Sequence, residues 1–162
     1  MNGRYFWMKD LFLVNYSVKG IKTLDELVSL SFYKKTITNA LDTQEYNMKA
    51  IYGMNGSGKT GIITSVDILR NILTNTGYLN NPYVQEKLEA NINKKKNELF
   101  IETDFIVKLE NELCFFRYRL TLAKTAKGKY EISGEELLTK KQHLKKVIWM
   151  WFLKLLMVKL LN

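Results

Sequence analysis

Three residue types are almost missing from this 162-residue sequence, which has one proline, one cysteine and one histidine. Cys114 alone cannot form an internal disulfide or a cysteine-based metal cluster, so we expect a reducing, cytoplasmic setting. His143 is the only residue available to Ser/His/Asp or Cys/His catalytic schemes, which disfavours both. The first apolar run, Leu11 to Val14, is too short for a signal peptide, and we expect no membrane span.

Acidic residues are missing from the end of the chain. Between positions 139 and 162 there are six lysines and no aspartate or glutamate, so residues 1–138 carry only +3 of the total charge of +9. The net charge therefore does not establish a basic surface for DNA or RNA, and a DNA partner stays open. The apolar content of 46% and the aromatic content of 12% are sufficient for the packed core of one domain.

The same end of the chain has an unusual amino-acid composition. Residues 147–153 (VIWMWFL) are consecutive apolar residues, and Lys154 and Lys159 interrupt the apolar residues after them. This run is too short to span a membrane, and its lysines do not form the segregated face of an interfacial helix. Because acids, glycines and turn residues stop at one point, we hypothesise that residues 141–162 are non-native, out-of-frame sequence after a truncation. A basic peptide that binds membrane or nucleic acid is the alternative.

One stretch matches a phosphate-binding pattern. Gly53, Gly58, Lys59 and Thr60 fill the fixed positions of G-x-x-x-x-G-K-[ST], and Gly56 adds a third glycine. Glycines can take the positive φ values that curl a loop around phosphates, and the following helix N-terminus favours anions. Lys59 is predicted to reach the β- and γ-phosphates, and the Thr60 hydroxyl to ligate Mg²⁺. The predicted nucleotide-binding residues are Gly53, Asn55, Gly56, Ser57, Gly58, Lys59 and Thr60, with Lys59 as the candidate catalytic residue and Thr60 as the metal ligand.

The residues that flank this loop support the interpretation. Lys49 to Tyr52 form a short apolar run that predicts a buried strand entering the loop. Ile62, Val66, Leu69 and Leu73 recur with the period of a helix that leaves the loop. A flexible glycine turn between two core elements is the alternative.

Strand-like runs lie on both sides of the loop. Leu11–Val14 and Leu27–Phe32 precede it, and alternating apolar residues follow from Leu99 to Leu109 and from Leu113 to Leu122. A shorter strand-like run begins at Tyr130. Short turns between the last three strands predict an antiparallel meander.

Two arginines, Arg117 and Arg119, project from the face opposite the apolar residues of their predicted strand. We expect this face to meet solvent, with DNA or nucleotide as the alternatives.

With these residues assigned, the chain resembles the N-terminal half of an ABC/SMC/RecF-type ATPase head, the group often named AAA family ATPase or ATP-binding protein. Asn55 to Thr60 match the form G-x-N-G-S-G-K-[ST] of that group's Walker A motif, and Leu13 to Ser17 are similar to its N-F/Y segment. The likeness covers about residues 8–140. It implies a truncated α/β P-loop NTPase domain, ABC-ATPase-like, with an antiparallel β layer.

The resemblance also implies a function. It implies ATP and Mg²⁺ binding by Gly53 to Thr60, and hydrolysis by a complete head. It also implies a homodimer in which the ATP bound to one head is enclosed by the partner head. We recognise no Walker B segment, signature sequence or switch histidine in the chain. The alternative is therefore a nucleotide-dependent interaction module that binds without hydrolysis, and a P-loop kinase is a third interpretation.

Overall fold

The computed structural model of this chain describes residues 11–32, 50–109 and 112–139. The hypothesis for residues 141–162 lies outside this part of the chain. The elements in chain order are β1 (Leu11–Lys19), β2 (Val28–Ser31), α1 (Lys59–Thr74), a 3-10 turn (Tyr78–Asn80), α2 (Pro82–Asn91), β3 (Glu98–Leu109), β4 (Glu112–Lys124) and β5 (Tyr130–Thr139).

The five strands form one sheet in the order β2-β1-β3-β4-β5, and every neighbouring pair is antiparallel. The predicted meander is confirmed, because β3 pairs with β4 and β4 pairs with β5, each as antiparallel neighbours. The last strand has ten residues and is longer than predicted. The first strand also extends further, to Lys19, where Gly20 with φ +82° turns the chain.

The predicted fold class is wrong. A P-loop NTPase has a core of parallel strands, whereas the described residues pair only as antiparallel strands. The predicted strand into the loop is also absent, since residues 50–54 have no regular structure and the side chains of Tyr52 and Met54 are 91% and 87% exposed. A buried strand needs hydrogen-bonding neighbours in a sheet, and within the described ranges no strand lies beside this segment.

Residues of both helices belong to one core, together with the alternating apolar residues on one face of β3 and β4. Phe105 and Phe116 lie opposite each other in the register, and their rings stack with centroids 5.4 Å apart. The helical period after the loop is likewise confirmed, because α1 turns an apolar face toward this core. Its buried apolar residues are Ile62, Ile68, Leu69 and Leu73.

The opposite face of the sheet carries a ladder of charges. Arg117 donates two hydrogen bonds to Asp104, at 2.6 and 2.8 Å, and this contact raises the pKa of its guanidinium. Arg119 contacts Glu102 at 2.7 Å and Glu136 at 3.1 Å. Solvent is thus only part of the surroundings of the two arginines, because the strand register places an acid directly opposite each of them.

A buried hydrogen bond connects β1 to α1. The Tyr16 hydroxyl lies 2.8 Å from Ser65 Oγ, which in turn donates to the carbonyl of Ile62 at 2.7 Å. The Tyr16 side chain is 2% exposed, and this burial raises the pKa of its phenol. Since the serine proton is directed at the Ile62 carbonyl, the tyrosine donates to the serine.

We expect Tyr16→Phe to lower the free energy of unfolding by about 1 kcal/mol, the net contribution of one hydrogen bond. Ser65→Ala should have a similar cost, and the double variant should cost clearly less than the sum of the two. Urea denaturation of the four proteins measures this coupling. Tyr83→Phe is the control, because the Tyr83 side chain is 74% exposed. Strict additivity of the two core variants would contradict the coupling.

Candidate phosphate-binding loop

The candidate site is the loop of residues 53–60, called here the P-loop, which runs directly into α1. Gly58 is the N-cap of that helix and has φ +88°, and Gly56 has φ +84°. Gly53, for which a positive φ was also predicted, does not have one. The Ser57 amide donates to the Met54 carbonyl at 3.2 Å, which curls the loop back on itself. The predicted glycine-dependent curvature is therefore present at two of the three glycines.

Lys59 closes this loop with its side chain. Its ammonium nitrogen lies 2.6 Å from the carbonyl oxygen of Gly53, 2.7 Å from that of Met54 and 3.3 Å from Ser57 Oγ. The positive charge thus lies across the loop, between its first residues and the start of the helix. A phosphate that enters the loop would meet this ammonium together with the amides that precede the helix.

The electrostatics at the start of α1 favour an anion. This 16-residue helix has no acidic residue in its first turn, so no carboxylate opposes the positive end of its dipole. Thr60, the second residue of the helix, is exposed and offers a hydroxyl oxygen. Mg²⁺ in phosphate sites is commonly held by one or two protein oxygens together with phosphate oxygens and waters. The donor set therefore fits a triphosphate through Lys59 and the loop amides, and its metal through Thr60.

The P-loop rests against the β1–β2 turn, defined here as residues 20–25. The Thr23 hydroxyl donates to the Gly56 carbonyl at 3.3 Å. Leu24 packs so closely on Gly58 that a Cβ at that position would lie 2.3 Å from Leu24 Cδ2. A Cβ on Gly61, in the first turn of α1, would be 3.5 Å from side-chain atoms of Ile21 and Leu24. Gly58 is thus favoured by its left-handed backbone, and a larger residue here would also have to displace the Leu24 side chain.

The β1–β2 turn is itself held by the last residue of α2 and by the segment that follows this helix. The Lys22 amide donates to the Asn91 carbonyl at 2.7 Å, and the Asn93 amide donates to the Gly20 carbonyl at 2.9 Å. The Asn93 side chain donates to the Lys22 carbonyl at 3.1 Å and to the Asp25 carboxylate. Lys95 lies 2.8 Å from the same carboxylate and, by hydrogen bonding, lowers the pKa of Asp25.

All seven predicted nucleotide-binding residues thus lie in one loop and the first turn of one helix. Sequence patterns did not identify the residues that contact the loop and the start of α1, namely Ile21, Thr23 and Leu24. These residues lie more than thirty positions before the loop residues they contact, as the separation of 33 between Thr23 and Gly56 illustrates. No local pattern in the chain indicates that contact.

Two features are absent from residues 11–32, 50–109 and 112–139. There, no cluster of three or more His, Cys, Asp or Glu residues is arranged to hold a metal ion. Over the same residues, no helix has both the length and the apolar character needed to cross a bilayer.

Two comparisons with known proteins found no match for this chain. No protein-family model matches the chain, and no curated protein matches it significantly.

Proposed function

We propose that this protein binds ATP together with Mg²⁺ through the P-loop. The observation that carries the proposal is the position of the Lys59 ammonium, within 2.7 Å of two loop carbonyls at the start of a helix without acidic residues in its first turn. In this arrangement one cation lies at the start of a helix, where the first backbone amides have no acceptor within the helix. A chain of phosphates is the ligand that needs such a combination.

The glycines, the lysine and the threonine of the P-loop have different roles in this proposal. The amides near Gly56 and Gly58 contact the phosphate oxygens, and Lys59 neutralises charge at the β- and γ-phosphates. The Thr60 hydroxyl ligates Mg²⁺, which when bound shields the negative charge of the triphosphate. The resemblance of Asn55 to Thr60 to the Walker A form of ABC/SMC/RecF-type ATPases supports ATP as the nucleotide.

The same resemblance implies that the chain is part of an ATP-hydrolysing protein whose heads act as a homodimer. The alternative stays a module that binds the nucleotide without turnover, because no Walker B segment is recognised in the sequence. The proposal concerns the loop and the helix after it, and it does not depend on a parallel sheet.

A ligand series tests the proposal directly. We expect ATP and ADP, each with Mg²⁺, to bind the purified chain with affinities at least about ten times higher than AMP or adenosine. The reason is that the P-loop contacts the β- and γ-phosphates, which AMP and adenosine lack. Isothermal titration or a fluorescent ATP analogue with competition measures the four affinities. Equal binding of adenosine and ATP, or binding of neither, would contradict the proposal.

Phosphate release followed in the same samples separates the two versions of the function. Release above the spontaneous rate that requires Mg²⁺ would support hydrolysis by this chain. Binding with no release would support the module that binds without turnover.

A further inference from the structure

We propose that Thr23 and Leu24 are positioning residues of the nucleotide site, and that they keep the P-loop in the shape that accepts phosphates. This inference rests on the proposed function. Neither residue belongs to the nucleotide-binding pattern, and both lie in the β1–β2 turn, in contact with Gly56 and Gly58 of the loop. They act through Gly56 and Gly58 and do not contact the nucleotide.

The need for such residues arises from the way the chain enters the loop. In the P-loop pattern a buried strand holds the first residues of the loop in place. Here residues 50–54 have no regular structure, and the side chain of Tyr52 is 91% exposed. Support for the loop must therefore come from its other neighbours, and the β1–β2 turn is packed directly against it.

Thr23 controls the direction of one loop peptide. Its hydroxyl donates to the Gly56 carbonyl at 3.3 Å. The carbonyl and the following amide belong to one planar trans unit and point in opposite directions. Holding the Gly56 carbonyl toward Thr23 therefore directs the Ser57 amide toward the inside of the loop, where it lies 3.2 Å from the Met54 carbonyl.

Leu24 controls the position of the start of the helix. Leu24 is 8% exposed, and its side chain occupies the space next to the Cα atoms of Gly58 and Gly61. Because the turn behind it is fixed by backbone bonds to Asn91 and Asn93, Leu24 has little freedom to withdraw. The first amides of α1, which are predicted to meet the phosphates, are thereby held at a constant distance from the sheet.

Replacing the Thr23 hydroxyl with a methyl group tests the role of this residue. We expect Thr23→Val to weaken binding of Mg·ATP by roughly two- to tenfold, the range for loss of one neutral hydrogen bond. Thr23→Ser, which keeps the hydroxyl, should restore most of the affinity. The matched control is Thr125→Val, because the Thr125 hydroxyl also donates to a carbonyl, that of Lys129 at 3.0 Å, in the turn between β4 and β5.

The affinities are measured by titration at a temperature where circular dichroism shows every variant to be folded. A purely structural role would shift the melting temperature without changing the affinity of the folded protein. Equal affinity of Thr23→Val and the unchanged chain, with Lys59-dependent binding in both, would overturn the inference and leave the proposed function standing. Absence of binding by the unchanged chain would overturn both.

Leu24 offers a second, independent variant. Leu24→Ala should weaken binding of Mg·ATP by more than Thr23→Val does, because the helix start loses its support, and Leu24→Met should restore most of the affinity. Folding of the alanine variant is checked by the same spectra. If the folded alanine variant binds as the unchanged chain does, Leu24 is a core residue only.

Discussion

Lys59→Ala is expected to weaken binding of Mg·ATP by at least about 100-fold, which corresponds to about 2.7 kcal/mol. The lysine supplies the only side-chain cation of the P-loop, and its ammonium lies within 2.7 Å of the carbonyls of Gly53 and Met54. Hydrogen bonds between a cation and phosphate oxygens are among the strongest in proteins, and alanine removes all of them. Titration with a fluorescent ATP analogue measures the loss.

The stability of this variant should change little, because the lysine lies on an exposed loop and its present acceptors can bond to water. Lys127→Ala is the matched control, since Lys127 is an exposed lysine in the turn between β4 and β5. We expect the control to bind as the unchanged chain does. If Lys59→Ala retains affinity within about threefold of the unchanged chain, the loop is not the nucleotide site.

Gly20→Ala is expected to lower the free energy of unfolding by about 3 kcal/mol or more. Gly20 has φ +82°, a conformation that alanine adopts at a cost of about 1–2 kcal/mol. In addition, a Cβ on this residue would lie 1.9 Å from the Glu98 carbonyl oxygen and 3.4 Å from Leu99 Cα. These are backbone atoms of β3, which cannot rotate away, so the turn or the strand has to shift.

Gly128→Ala separates the two contributions. Gly128 has φ +79°, yet no atom outside Gly128 and its two chain neighbours lies within 4 Å of the position of its Cβ. We therefore expect a loss of about 1 kcal/mol from the backbone conformation alone. Urea denaturation of both variants measures the difference between them. A Gly20 variant that is no less stable than the Gly128 variant would show that the contact with β3 does not limit the position of the turn.

Which face of each strand is buried was predictable, because burial follows a local pattern of apolar and polar residues. In β3 and β4 the apolar side chains alternate with polar ones, and a strand with one buried face needs this alternation. The pairs Phe105 with Phe116 and Leu99 with Leu122 lie on the core side as predicted. The acids that pair with Arg117 and Arg119 were not predictable in the same way, because they depend on the register between two strands.

The α/β P-loop NTPase class was predicted from the resemblance and not from a pairing pattern, and this is where the prediction failed. An apolar run such as Lys49 to Tyr52 becomes a strand only when another strand offers it hydrogen bonds. The described part of the sheet instead has β1 in contact with β2 and β3. The antiparallel arrangement of β3, β4 and β5 was predictable from the short connections between them, which leave no room for a crossover.

The sequence by itself determined which side chains the candidate loop can offer to a ligand, because Gly58, Lys59 and Thr60 are consecutive residues. It also determined which faces of α1, β3 and β4 are buried, since periodicity is a local property. Only the tertiary structure decided which residues support the loop. Thr23 meets Gly56 across 33 residues, and Tyr16 meets Ser65 across 49. Such contacts arise from the packing of a turn and a helix on one sheet, and no local pattern encodes them.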